Sequence, residues 1–244
     1  MSIRDVFIMS LKVVLFDLDA TLLPMDQDAF IAGYFKLLAK KLVPHGYEAD
    51  ALIRGMWRAV NAMIENNGTR LNKDVFWETF SKECGQRVFD DEPILDEFYR
   101  ENFCELKTFC GYNPDAAKTV RALKEKGIVT VLATNPVYPF IATNQRLEWA
   151  GLKATDFEII TTYENASFCK PNIKYYSEIL SKINCAPENT LMVGNDVTED
   201  MVAQNIGIKV FLLTDYLINK SNVDINIYSH GSFKELEKYI DKIL

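Results

Sequence analysis

The chain has 244 residues, 48% of them apolar and 25% charged, with a formal net charge of −7. That is enough chain to bury a sizeable core in one large domain or two modest ones. The acidic balance excludes general nucleic-acid binding, which needs basic surface to displace counterions.

The apolar N-terminus is interrupted by Asp5, Lys12, Asp17 and Asp19. It therefore predicts neither a membrane span nor a cleaved leader. Residues 13–16 form an apolar run, VVLF, that leads directly into Asp17, with Asp19 two positions on. An extended backbone continued through 19 points both carboxylates the same way. Two carboxylates at the end of a buried strand are costly to desolvate unless a cation or substrate meets them. The plain alternative is a strand ending in a polar turn.

After Pro24 the apolar residues recur at helical spacing up to about residue 105. Phe30, Tyr34, Leu37, Leu38, Lys41 and Leu42 mark a first helix, ended by Pro44-His45-Gly46. A second is predicted over 49–66, a third from Asn72 or Asp74 to Gly85, and a fourth through Ile94, Leu95, Phe98 and Tyr99 towards Phe103. Four helices without a convincing strand read as a helical insertion. From residue 112 the pattern alternates. Helices are predicted over 114–126, 139–150, 173–183 and 197–205, with short apolar strands over 128–133, 157–161, 190–193 and 208–213. A capping box, Ser232 with Glu235, opens a final amphipathic helix. Alternation with continuously apolar strands predicts an α/β fold: a Rossmann-like parallel sheet with helices on both faces and an inserted all-α cap. The core is assigned to 1–23 and 112–244, and the cap to 24–111. No internal repeat or low-complexity linker interrupts it.

Such sheets place their sites at the carboxyl ends of the strands, and those ends carry polar residues here. Asp17, Asp19 and Thr21 follow the first strand, and Thr134 and Asn135 follow the second. Lys170 lies beyond the third, and Gly194, Asn195, Asp196 and Asp200 follow the fourth. The set fits phosphoryl transfer: a carboxylate nucleophile, an acid/base, a hydroxyl and an ammonium for phosphoryl oxygens, and an all-oxygen site suited to Mg²⁺.

In that order the residues resemble the four motifs of the haloacid dehalogenase-like hydrolase superfamily, over nearly the whole chain. Asp17-Leu18-Asp19-Ala20-Thr21 is similar to the first, Thr134 to the second, Lys170 to the third, and Gly194-Asn195-Asp196 with Asp200 to the fourth. The resemblance implies a phosphatase with a helical cap of the first type. Asp17 is then the nucleophile and Asp19 the general acid/base. Thr134 and Lys170 bind the phosphoryl group, and Mg²⁺ is held by Asp17, Asp19 and an acid of the fourth motif. The family usually has glycine where Ala20 stands, and an acid where Asn195 stands. Asp196 is preferred as the metal ligand because it is charged, with Asn195 as the alternative and Asp200 acting through water or on Lys170. An acid at Asp19 argues for a phosphate ester over a carbon–halogen bond. A phosphomutase, or a binding protein that keeps the fold, is the alternative reading.

Other candidates carry weaker expectations. Asn135-Pro136 reads as a turn, with Asn135 placed to orient substrate beside Thr134. Arg146 reads as a surface or helix-packing residue. Met56, Trp57 and Trp77 read as cap core before pocket wall, and Arg54 and Arg58 as solvated surface. His45 and His230 are assigned no role. The five cysteines (Cys84, Cys104, Cys110, Cys169, Cys185) form no CxxC pair and suggest reduced thiols in a cytoplasmic protein. The expected partner is a small phosphorylated metabolite, without nucleic acid or membrane.

Overall fold

A computed structural model describes residues 11–244. The expectations for the extreme N-terminus, including 1–10 as part of the core, lie outside the described residues. Within them no helix is long and apolar enough to cross a membrane.

Six strands form one sheet: β1 (Val13–Phe16), β2 (Val129–Leu132), β3 (Ile159–Ile160), β4 (Thr190–Gly194), β5 (Lys209–Leu213) and β6 (Ser229–Gly231). Their order is β3-β2-β1-β4-β5-β6, with every pairing parallel. β1 lies between β2 and β4, with Phe16 paired to Leu132 on one side and Val193 on the other. The chain order reverses there, and this is where an open α/β sheet leaves a crevice at its carboxyl edge.

Each β1 side chain is buried, and alternate ones serve different cores. Val14 and Phe16 pack with α5 (Pro114–Glu125), α6 (Phe140–Trp149) and α8 (Phe233–Ile243). Val13 and Leu15 pack on the opposite face with Tyr175, Tyr176 and Ile179 of α7 (Ile173–Ile183). A strand covered on both faces has no use for polar alternation, which explains the unbroken VVLF run.

The cap is inserted between β1 and α5. It contains α1 (Gln27–Leu42), α2 (Ala49–Ile64), α3 (Asn72–Cys84) and a short α4 (Glu92–Glu97). Asp26 caps α1 by accepting from the Ala29 amide at 3.0 Å. Beyond α4 the predicted fourth helix loosens into a π turn over Phe98–Asn102 and a 3₁₀ segment over Phe103–Phe109. The buried aromatics explain the change. Phe98 and Phe103 are five positions apart, and the wider turn, closed by the Phe103 amide on the Phe98 carbonyl, brings both into the core.

The first amides of α3 find no side-chain cap. Core carbonyls take them instead: Asn72 N donates to Ala166 O at 2.9 Å and Lys73 N to Tyr163 O at 2.8 Å. The Asn72 side chain adds contacts to Pro136 O at 3.3 Å and Cys169 Sγ at 3.2 Å. The cap is thus fastened to the loops that follow β2 and β3.

Candidate active site

The strand alternation expected through Asp19 ends at Phe16. Asp17 still donates its amide to Val193 O at 2.9 Å, and then the chain turns: the amides of Thr21 and Leu23 both donate to Leu18 O. Ala20 sits in this turn at φ +62°, the left-handed region. The turn, not the pleat, brings Asp17 and Asp19 to one cavity of about 250 Å³. Thr134, Asn135, Asn195, Asp196 and Asp200 share its wall, and Phe30 and Ile31 of α1 close it from the cap side.

The two carboxylates meet different cations. Lys170 Nζ donates to Asp17 Oδ1 at 2.8 Å and to Asp200 Oδ1 at 2.6 Å. Burial opposes the ammonium charge, but Asp17 and then Asp200 outweigh it and hold Lys170 well above the ordinary lysine value. Asp19 Oδ2 is paired instead with Arg146, which is fully buried on α6. Burial raises the Asp19 carboxyl above its ordinary value, with Arg146 opposing and Asp17 adding to the rise. Its other oxygen, Oδ1, is buried with no hydrogen-bond partner.

Of the two positions expected for Arg146, surface or helix packing, the surface one is therefore corrected. Its guanidinium donates to Ala142 O and Thr143 Oγ1 and lies 4.3 Å from the centroid of the Tyr138 ring. The sequence does hold a signal. Ala142, Arg146 and Ala150 recur at four-residue steps on the buried face of the helix, so Arg146 is a charge within an apolar stripe.

Backbone carbonyls and loops fix the remaining groups. Thr134 is buried, and its carbonyl accepts from Thr161 Oγ1 at 2.7 Å and Tyr175 OH at 2.8 Å. Asn135 does form the expected turn, Val137 N donating to its carbonyl. Its side chain also bridges two loops, accepting from Lys170 N at 3.3 Å and donating to Glu199 at 3.2 Å. Glu199, which sequence reasoning passed over, is pushed by burial up to about 7, with Lys170 opposing.

In the fourth motif Asn195 is buried, accepting from Thr21 Oγ1 at 2.9 Å and donating to Tyr216 O at 2.7 Å. Asp196 faces the cavity, and its Oδ1 accepts from the amides of Thr198 and Glu199. Those bonds, with Val197 N donating to Ile218 O, satisfy amides that the first turn of a helix leaves unpaired, yet no α-helix follows over 197–205. What forms is a 3₁₀ segment, Met201–Ile206. Gly194 is required by space: a Cβ there would lie 2.0 Å from Asp200 Oδ2.

The carboxylates and amides at the strand ends give this wall a set of oxygen donors, and Asp19 Oδ1 is an unmet acceptor among them. Among the described residues no group of three or more His, Cys, Asp or Glu side chains converges as a metal cage. Mg²⁺ does not require one. It takes one or two carboxylates with backbone or amide oxygens and keeps several waters, so the donor set fits it.

Comparison with known proteins agrees with this fold. A glyceraldehyde 3-phosphate phosphatase of Methanothermobacter thermautotrophicus is 26% identical over 235 residues, 89% of this chain and 95% of that one. A phosphoglycolate phosphatase of Vibrio cholerae is 27% identical over 216 residues, covering 84% and 85%. Among solved structures, a 2-haloacid dehalogenase from Pseudomonas syringae pv. tomato shares the fold at a TM-score of 0.62 and 17% identity, covering 96% of this chain and all of that one. The family model for haloacid dehalogenase-like hydrolases matches residues 11–207, and the chain belongs to that family of hydrolases.

Proposed function

We propose that the protein is a Mg²⁺-dependent phosphatase that hydrolyses a small phosphate monoester through an aspartyl-phosphate on Asp17. The observation that carries this reading is the division of cations: Lys170 holds Asp17, and Arg146 holds Asp19. Two carboxylates in one cavity but in different environments are suited to different roles.

In the first step an Asp17 oxygen attacks phosphorus and the bond to the leaving oxygen breaks. With Oδ2 fixed by Arg146, Asp19 Oδ1 is the oxygen left to carry the proton that the leaving group takes. In the second, Asp19 takes a proton from water, which attacks phosphorus, releases inorganic phosphate and restores Asp17. Lys170 and Thr134 orient the phosphoryl oxygens, and Asn135 fixes the Lys170 loop. Mg²⁺ would be held by Asp17, the Asp19 backbone carbonyl and Asp196, with Asn195 as the neutral alternative. Bound there, it offsets repulsion between the nucleophile and the substrate. The names of the curated relatives support a small phosphorylated metabolite as substrate.

Phosphate release from an aryl phosphate in the presence of Mg²⁺ tests the reading. Asp17→Asn is expected to abolish turnover, and Asp19→Asn to slow it by about 10²–10⁴-fold. Full activity of Asp17→Asn would end it. Mg²⁺ titrations of Asn195→Ala and Asp196→Ala identify the ligand, which weakens metal dependence when removed.

A further inference from the structure

A second cavity, of about 190 Å³, lies between the cap and the loop that follows β2. It adjoins the site: Ile31, Val137 and Tyr138 are walls of both. Its walls are far more apolar than the site's. Phe35, Met56, Trp57, Phe76 and Trp77 line it from the cap, and Tyr163 from the core. Trp57, expected in the cap core, is instead 45% exposed at this wall. Among the described residues the only charged one in this wall is Asp96, which is already paired with Arg100 at 3.6 Å.

We infer that this cavity receives the leaving group, and that the substrate is a phosphate monoester of an uncharged, apolar alcohol about the size of one six-membered ring. The inference rests on the phosphatase reading above and narrows it. An apolar cavity of roughly 150 Å³ accommodates benzene, so 190 Å³ suits a ring of that size. A carboxylate or second phosphate would meet no cation there, and a polyol would lose hydration against aromatic walls. The junction also places the leaving group near its acid. Tyr138 forms a wall of both cavities, its ring lies against the Arg146 guanidinium, and Arg146 fixes Asp19.

Steady-state assays of benzyl, 3-methylbutyl, ethyl and glycerol phosphates test it. All four are alkyl esters, so their intrinsic leaving abilities are similar and the comparison reads burial. Each methylene moved out of water is worth about a factor of four, so kcat/KM for benzyl phosphate is expected at least 30-fold above that for ethyl or glycerol phosphate. Val60 of α2 also lines the cavity, and Val60→Trp, which fills it, is expected to bring that ratio below three with thermal unfolding monitored alongside. Benzyl alcohol is expected to bind the wild-type protein saturably by calorimetry, and at least tenfold more weakly to Val60→Trp. Turnover of ethyl and glycerol phosphates without an advantage for the benzyl ester overturns the inference and leaves the phosphatase reading standing. Absence of benzyl alcohol binding also overturns it. If none of the four esters nor an aryl phosphate is hydrolysed, the phosphatase reading fails and the substrate assignment fails with it.

Discussion

Ala20 holds the left-handed backbone of the turn that brings Asp17 and Asp19 together, at φ +62° and nearly fully buried. An L-residue there costs roughly 1–2 kcal/mol, and glycine removes the penalty while adding chain entropy of about 0.5–1 kcal/mol to the unfolded state. Ala20→Gly is therefore expected to stabilise the fold by about 0.5 kcal/mol in urea titration. Arg146 carries the larger stake. Arg146→Ala would leave Asp19 facing Asp17 in the buried site without its cation, and is expected to cost about 3–5 kcal/mol in the same titration and to lower kcat sharply. Arg146→Lys keeps the charge but not the planar contact with Tyr138, so an intermediate loss is expected. Asp17, Asp19 and Thr134 were legible as candidates because they follow apolar runs, and Lys170 because it stands in the loop beyond another. Arg146 was not, because a long polar side chain inside a helix reads as surface until its apolar neighbours are aligned around the helix.

Among the elements, β1, α3 and α7 were legible almost to the residue, because burial on one or both faces writes its period directly into the sequence. The segment 197–205 was not: Asp196 caps its first turn as it would cap a helix, but the chain goes on as a 3₁₀ segment over Met201–Ile206. β6 escaped as well: Ser229-His230-Gly231 is an edge strand with no apolar run to mark it. In the cap, the turn after α1 is held to the segment before α4 by one acid. Asp91 accepts from Tyr47 OH at 2.7 Å and Arg87 Nε at 3.0 Å. The Tyr47 hydrogen bond, and then Arg87, hold its carboxyl below the ordinary 3.8 against some desolvation. A depressed carboxyl contributes its full stability above the unfolded value and loses it as pH falls through the lower folded value. Stability from this contact is therefore constant above about pH 4 and declines below it. Asp91→Asn is expected to cost about 1 kcal/mol at pH 7 and to flatten that acid decline in unfolding curves measured from pH 2 to 7.

At the scale of the whole molecule, the cap meets the rest of the chain at the crossings at Pro24 and Gly111, along α6, where Phe103 stacks on Trp149, and again through the N-terminus of α3. Gly111 N donates to Pro24 O at 2.7 Å, which pins the two crossings together as a pivot. Far from that pivot, the first amides of α3 are capped by Ala166 and Tyr163 carbonyls, and Asn72 reaches Pro136 and Cys169. Swinging the cap away would uncap its own helix, so opening and partial unravelling of α3 are one event. Asn72→Ala is expected to ease that event by about 1 kcal/mol, roughly fivefold in equilibrium, read as faster amide hydrogen exchange at Asn165, Ala166 and residues 72–75. Because the loops so fastened carry Thr134 and Lys170, release of product and loosening of these proposed phosphoryl-binding groups would share one rate. The ceiling on turnover would then be a property of local folding stability, tunable at α3 without touching a residue that does chemistry.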